Sequence, residues 1–200
     1  MMNLYQFHTE PKGLNSIDQY EDYMGKSAVR SLEYARQTKK RFPKGEKSMS
    51  DHGKISLRYA IEVLGGPFPA GETAIGELAN PSYEYANEVL DDLFPKGEKA
   101  IASFWRTAYS YAKVMVKGPW PLGEEAIAST SRTAYLYAKD ILKEPWPEGE
   151  ATISQDGEDA FLYAKYVIKD KWPKGEHAIF KDEQHSTQYI DFLIELGYEE

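Results

Sequence analysis

The sequence predicts an all-α fold, a solenoid of six helix-pair repeats with a cap at each end. A five-residue signature, Phe/Trp-Pro-x-Gly-Glu, recurs six times in the 200-residue chain, and each copy is followed by an apolar run with helical spacing. A fixed period of about 20–50 residues is typical of stacked units that cannot bury their apolar faces alone. The 26-residue repeats, numbered first to sixth below, begin at residues 42, 68, 94, 120, 146 and 172.

The signature has the chemistry of a helix start, as in Trp120–Glu124. Proline fits the first helical turn, where its missing N–H is not needed. Glutamate near that end interacts favourably with the helix dipole. A small and an aliphatic residue follow, such as Ala126-Ile127, and then a short polar break. The first half of each repeat is therefore predicted to be a short helix and a turn.

The second half of each repeat is predicted to be a longer helix. In the third repeat, Ala108, Tyr111, Ala112 and Met115 follow the i, i+3, i+4, i+7 pattern of one helical face. Gly118-Pro119 then ends the helix. The wide apolar face suits a helix that contacts neighbours on both sides of a stack.

The two ends of the chain depart from the repeat. Residues 1–41 lack the signature, yet Ser31–Ala35 resembles Ser82–Ala86 and lies 25 residues before the equivalent segment of the first repeat, one short of the period. We therefore interpret residues 1–41 as a degenerate N-terminal cap and residues 42–200 as the six repeats. Terminal units of a stack are atypical, so the sixth repeat, with its acidic tail, is expected to be the C-terminal cap.

Composition excludes several classes of protein. The chain has no cysteine, which excludes disulfides and thiolate metal sites. Its formal charge of −8 argues against a general nucleic-acid binder, which usually has a basic surface. No signal peptide is apparent at the N-terminus, and no apolar run approaches the roughly 20 residues that span a bilayer. We expect a cytoplasmic protein with no membrane partner.

The repeat resembles a family of short helical repeats in uncharacterised tailed-bacteriophage proteins. The resemblance lies in the pattern W/F-P-x-G-E-x-A-I followed by A-Y-x-Y-A-K, and it covers residues 42–189. It implies a phage-encoded accessory protein that acts in the cytoplasm of the infected bacterium. It supplies no catalytic residue.

We expect no enzyme activity, cofactor or metal site. The four histidines lack the spacing of metal ligands, and no nucleotide-binding or nucleophile motif is present. A glutamate and a tyrosine recur in every repeat, whereas an active site usually occurs once. We interpret the glutamates as dipole and capping partners, and the tyrosines as core residues whose hydroxyls need partners. These residues are Glu46, Glu72, Glu98, Glu124, Glu150 and Glu176, and Tyr59, Tyr85, Tyr111, Tyr137, Tyr163 and Tyr189.

Departures from the repeat point to function, because the repeat itself maintains the fold. In the third repeat the predicted turn contains Phe104, Trp105 and Arg106, where the fourth repeat has Thr130-Ser131-Arg132. Two large rings in a turn are typical of an interface anchor. Lateral packing on a neighbouring turn is the alternative. Arg132 is included among the candidate binding residues.

A second departure is a set of lysines four residues apart in the third to fifth repeats. Placed on the polar face of each long helix, they would form a basic stripe on an acidic protein. The alternative is a solvated face whose lysines pair with Asp140 and other acids. The pairs are Lys113 and Lys117, Lys139 and Lys143, and Lys165 and Lys169.

These features favour a non-catalytic protein that binds a host protein, as an inhibitor of a defence system would. The alternative is a protein that sequesters a phosphorylated small molecule such as a cyclic nucleotide. In that case lysines and arginines would bind the phosphates, and tyrosines would stack on the base. An acidic mimic of DNA is a weaker hypothesis, because −8 is a mild charge for 200 residues.

Overall fold

The computed structural model describes Leu14 and residues 16–198, which fold into helices without any β-strand. The described residues form two compact units, divided between residues 74 and 75. The α-helices are α1 (Ile17–Gly25), α2 (Ala28–Thr38), α3 (Pro43–Ser50), α4 (Gly53–Tyr59), α5 (Glu72–Gly76), α6 (Ala79–Glu84), α7 (Glu98–Ala102), α8 (Trp105–Tyr111), α9 (Pro121–Ile127), α10 (Ser131–Leu136), α11 (Pro147–Ile153), α12 (Gly157–Tyr163), α13 (Pro173–Lys181) and α14 (Glu183–Glu195).

The signature begins a helix in every repeat, as predicted. Its aromatic residue is the N-cap and its proline is the first helical residue, for example Trp120 and Pro121 at the start of α9. In the second and third repeats this first turn is a 3₁₀ helix, Pro69–Gly71 and Pro95–Gly97. Glycine is required because the aromatic ring folds over it. A Cβ on Gly123 would lie 2.4 Å from Cε3 of Trp120.

In the first, third, fourth, fifth and sixth repeats, a buried tyrosine fastens the signature through an arrangement that we call the tyrosine node. In the fourth repeat, the backbone N–H of Trp120 donates to the Tyr137 hydroxyl at 2.8 Å, and that hydroxyl donates to Glu124 Oε1 at 2.8 Å. The node thus satisfies a buried backbone donor and a buried hydroxyl together. The same two bonds join Phe42, Tyr59 and Glu46; Phe94, Tyr111 and Glu98; Trp146, Tyr163 and Glu150; and Trp172, Tyr189 and Glu176.

The predicted core positions are buried. All six recurrent tyrosines have no exposed surface, and Trp120, Trp146 and Trp172 are 7%, 4% and 5% exposed. The first five of these tyrosine rings also pack on the aromatic residue of the following signature, with centroids 4.9 Å apart for Tyr137 and Trp146. The prediction that the tyrosines are core residues with hydroxyl partners is confirmed.

The long helix of most repeats ends in a π-helical segment, which the sequence did not predict. A residue in the left-handed conformation follows each segment and donates its N–H to an alanine carbonyl five residues earlier. The π segments are Ala60–Leu64, Tyr85–Leu90, Ala112–Val116, Tyr137–Leu142 and Ala164–Ile168.

The N-terminal segment lacks this π segment, which explains its shorter spacing. Helix α2 ends as an ordinary α-helix, with the left-handed residue Lys39 only four positions after Ala35. In the first repeat, Gly65 lies five positions after Ala60. A π turn contains one more residue per hydrogen-bonded ring than an α turn. The 26-residue period is therefore 25 residues plus one π insertion.

The N-terminal segment nevertheless keeps part of the tyrosine node. The Tyr34 hydroxyl donates to Glu21 Oε1 at 2.9 Å, with the same 13-residue separation as in the repeats. At the position of the signature glycine this segment has the buried Tyr20 instead. The division into a cap at residues 1–41 and repeats at 42–200 stays a prediction, and residues 1–13 lie outside the described part of the chain.

Candidate functional site

The residues Phe104, Trp105 and Arg106 lie at the start of α8. Phe104 is the N-cap, with extended backbone angles of φ −133° and ψ 121°, and the helix begins at Trp105. The prediction that all three lie in a turn is wrong for Trp105 and Arg106, because these two residues lie in the first turn of α8. The two rings contact each other, with centroids 5.5 Å apart, and the Arg106 guanidinium lies 4.9 Å from the Trp105 ring.

The two rings form one wall of a surface groove of about 360 Å³, which we call the aromatic groove. Phe104 is 38% exposed, and Leu122 on α9 is 54% exposed. Three large apolar side chains therefore meet at one open surface between consecutive repeats. The groove is lined by Ala102, Ser103, Phe104, Trp105, Leu122, Glu125, Ala126 and Ser129.

The sequence analysis missed Leu122 and Glu125. Leu122 is the variable residue of its signature, and it is the one large apolar residue at that position. A position-by-position comparison of the six signatures would have found it. The other repeats have Lys44, Ala70, Lys96, Glu148 and Lys174 there.

The polar atoms of the aromatic groove are mainly acceptors. The Ser103 hydroxyl donates its proton to the Ala100 carbonyl at 2.7 Å, and the Ser129 hydroxyl donates to the Ala126 carbonyl at 2.6 Å. Each oxygen is left with lone pairs only. Glu125 is exposed and makes no hydrogen bond or ion pair with the other described residues. The groove therefore combines aromatic surface with oxygen acceptors.

The equivalent surface beside the fourth repeat is polar and already engaged. Thr130 and Ser131 replace the two rings, and the Ser131 hydroxyl donates to Asp159 Oδ2 at 2.8 Å. Asp159 is almost fully buried, and burial raises the pKa of its carboxyl, opposed by Ser131 and Arg132. These intramolecular contacts already engage the polar side chains of this surface.

Arg132 belongs to this engaged surface. Its guanidinium lies 2.6 Å from Glu158 and 3.0 Å from Asp159. The bond to Glu158 raises the pKa of Arg132. Arg132 is therefore an ion-pair residue within the fold, and its role in binding stays a prediction.

The first lysine of each pair contacts the following repeat. Lys113 Nζ lies 2.7 Å from Asp140 and 3.0 Å from the Tyr109 hydroxyl, and the bond to Asp140 raises the pKa of Lys113. Lys139 lies over the rings of Tyr135 and Tyr166, at 5.5 and 5.3 Å. Lys165 lies between Phe161 and Phe192, at 5.6 and 5.9 Å. These ammonium groups therefore already have partners. The alternative prediction, a face whose lysines pair with acids, holds for Lys113 and Asp140.

The second lysine of each pair is not on the helix face, which corrects the prediction of a continuous stripe. Lys117, Lys143 and Lys169 are the left-handed residues that end the π segments, with φ of 57°, 61° and 60°. Gly65 and Asp91 occupy the same position in the first two repeats. The position of the second lysine is thus defined by its left-handed backbone conformation. Because a π segment precedes it, this lysine does not share a helix face with the lysine four residues earlier.

The described part of the chain contains no group of three or more His, Asp or Glu residues arranged to hold a metal ion. None of its helices combines the length and the apolar character that crossing a bilayer requires. Comparisons with protein-family models, with curated proteins and with solved structures gave no match.

Proposed function

We propose that this chain is a non-catalytic binding protein that engages another protein through the aromatic groove. In this proposal the 26-residue repeats stack as a capped solenoid, and the groove lies between the third and fourth of them. The resemblance to tailed-phage repeats suggests the setting: a phage accessory factor in the cytoplasm of its host, with a host protein as partner and a defence system as its target.

The observation that carries the proposal is the coincidence of independent departures from the repeat. Phe104 and Trp105 belong to the third repeat, whereas Leu122 and Glu125 belong to the fourth. Thr130, Ser131, Glu148 and Ala151 occupy the corresponding positions one repeat later. The signature and the tyrosine node beneath these positions are the same in the third and fourth repeats. Folding therefore does not require these four residues to change together.

Energetics also favour a protein partner. Exposed aromatic side chains next to an aliphatic one bury much apolar area when a partner covers them, and such anchors dominate protein interfaces. Three of the six lysines that would bind a phosphate, Lys113, Lys139 and Lys165, contact Asp140 or aromatic rings instead. Their engagement supports a protein partner over the phosphorylated small molecule.

The test is affinity capture from a bacterial lysate with the wild-type chain and with the double variant Phe104→Thr, Trp105→Ser. This change introduces the residues that the fourth repeat already contains, so the melting temperature should stay within a few degrees. Loss of a stoichiometric partner at unchanged melting temperature is the expected result. A bound ultraviolet-absorbing small molecule in the purified wild-type chain would instead favour sequestration.

A matched control separates specific binding from adsorption to apolar surface. Leu93 and Val114 are exposed apolar residues outside the groove, at 42% each. The double variant Leu93→Ser, Val114→Thr should keep the partner. Equal loss of the partner in both double variants, or lower stability with intact binding in the groove variant, would contradict the proposal.

A further inference from the structure

The aromatic groove has chemistry that selects one class of partner group, and we infer that it binds a cationic side chain, arginine or lysine, from a basic segment of the partner. This inference rests on the proposed function, because it assumes that the groove is the contact surface. It concerns what the groove recognises.

The polar side-chain atoms of the groove favour a ligand that donates hydrogen bonds. The Ser103 and Ser129 hydroxyls have donated their protons to backbone carbonyls, and the Glu125 carboxylate has none to give. Apart from the Trp105 indole N–H, the polar side chains of the groove therefore offer acceptors, which suit a ligand group that supplies donors. Arginine has five N–H donors and lysine has three, and neither has an acceptor. Phosphates and carboxylates would meet only acceptor atoms from Ser103, Ser129 and Glu125.

The aromatic wall of the groove also favours a cationic side chain. Aromatic faces attract cations, and the aliphatic stem of a long basic side chain can pack on apolar surface such as Leu122. Trp105 already holds one guanidinium, that of Arg106 at 4.9 Å. Arg106 itself does not line the groove.

The compact unit that contains the groove has a surplus of negative charge. Residues 75–200 have 23 Asp and Glu against 13 Lys and Arg, whereas residues 1–74 have 9 against 11. A surplus of negative charge steers basic partners and accelerates their association. The adjacent repeats have no carboxylate at the position of Glu125, where they have Lys99 and Ala151.

The experiment titrates the full ¹⁵N-labelled chain with the peptide acetyl-GRGGRGGRG-amide and follows the indole N–H resonances. Trp105 gives one of four such signals and is assigned with Trp105→Phe. We expect a saturable shift of the Trp105 signal that is much smaller for the peptide in which citrulline replaces arginine. Citrulline has nearly the same shape as arginine but no charge.

Two charge-matched variants then locate the site. Glu125→Gln should weaken peptide binding at least about fivefold, because it removes a charge-assisted hydrogen bond. Glu144→Gln changes the net charge equally at an exposed site outside the groove, and it should have less than about a twofold effect.

Three outcomes would overturn the inference: no shift of Trp105, an equal shift with the citrulline peptide, or equal weakening by the two glutamate variants. The last would show a general field effect without a local site. If lysate capture still depends on Phe104 and Trp105, these outcomes overturn the cationic ligand and leave the proposed function in place. If Trp105 does not respond to the peptide and lysate capture does not depend on Phe104 and Trp105, both the cationic ligand and the proposed function are overturned.

Discussion

The aromatic groove beside the third repeat and the equivalent surface beside the fourth share a buried frame, which consists of the signature and its tyrosine node. Their surfaces differ, because the first is aromatic and the second is polar. Beneath both, a tyrosine node joins a signature aromatic residue to a glutamate, through Tyr111 in one and Tyr137 in the other. Above it, the third repeat exposes Phe104 and Trp105, whereas the fourth engages Ser131 and Arg132 with acids of the next repeat. Folding therefore constrains the buried residues of the frame, whereas the surface residues above it can differ between repeats.

The largest effects should come from the frame, and they should be equal beneath both surfaces. Trp120→Ala and Trp146→Ala should each lower the free energy of unfolding by about 3–5 kcal/mol, because each removes a buried ring and leaves a cavity. Urea denaturation measures both. A loss below about 1 kcal/mol in either variant would show that the two frames are not equivalent.

The tyrosine nodes should come next. Tyr111→Phe and Tyr137→Phe keep the ring but leave the buried N–H of Phe94 or Trp120 without its acceptor. We expect each change to cost about 1–3 kcal/mol in the free energy of unfolding. Tyr166→Phe, at an exposed tyrosine, is the control and should cost much less. Equal costs in all three variants would assign the effect to tyrosine in general and not to the node.

The nodes also predict instability at alkaline pH. Burial raises the pKa of Tyr111 to about 12 from its ordinary value of 10.0, and those of Tyr59 and Tyr189 likewise to about 12. Between these values the folded chain retains protons that the unfolded chain loses. Stability should be complete below about pH 10 and fall as the pH rises towards 12. Tyr111→Phe should show a smaller decrease between pH 9 and 11 in ~0.1 M salt, and an unchanged pH profile would contradict this role.

The smallest effect should be a gain in stability. Lys117 and Lys143 adopt left-handed backbone conformations, which cost a residue with a Cβ about 1 kcal/mol. Gly65 already occupies this position in the first repeat. Lys117→Gly and Lys143→Gly should each raise the free energy of unfolding by about 0.5–1 kcal/mol, measured by urea denaturation. A loss in either repeat would indicate that the lysine side chain contributes contacts that the backbone argument omits.

The sequence was sufficient for the frame because its signals are local and periodic. Proline after an aromatic residue marked each helix start, and the spacing of Tyr111 with alanines indicated burial. The bond between Tyr111 and Glu98 was not predictable in the same way. The two residues are 13 positions apart, so no helical periodicity brings them together, and Glu98 was assigned to the helix dipole instead.

The groove was only half predictable for a related reason. Phe104 and Trp105 are recognisable in the sequence because two large rings are unusual at this position. Leu122 lies in the next repeat, and its part in the groove is recognisable only when the third and fourth repeats lie side by side. The prediction of a continuous lysine stripe was wrong because a four-residue spacing places two residues on one face only in a regular α-helix. Lys117 follows a π segment and has left-handed backbone, so it does not share a helix face with Lys113.

The π segments also determine which changes in chain length the protein can accommodate. The link from Ala35 to Lys39 shows that this chain can join a long helix to the next signature with one residue fewer. Loss of a single codon between Ala112 and Lys117 would convert that link to the same α-helical form, whereas the same loss inside the signature would displace a glycine from beneath its ring. In-frame deletions should therefore accumulate during evolution at the ends of the long helices, and the 25-residue spacing near the N-terminus is consistent with one such event.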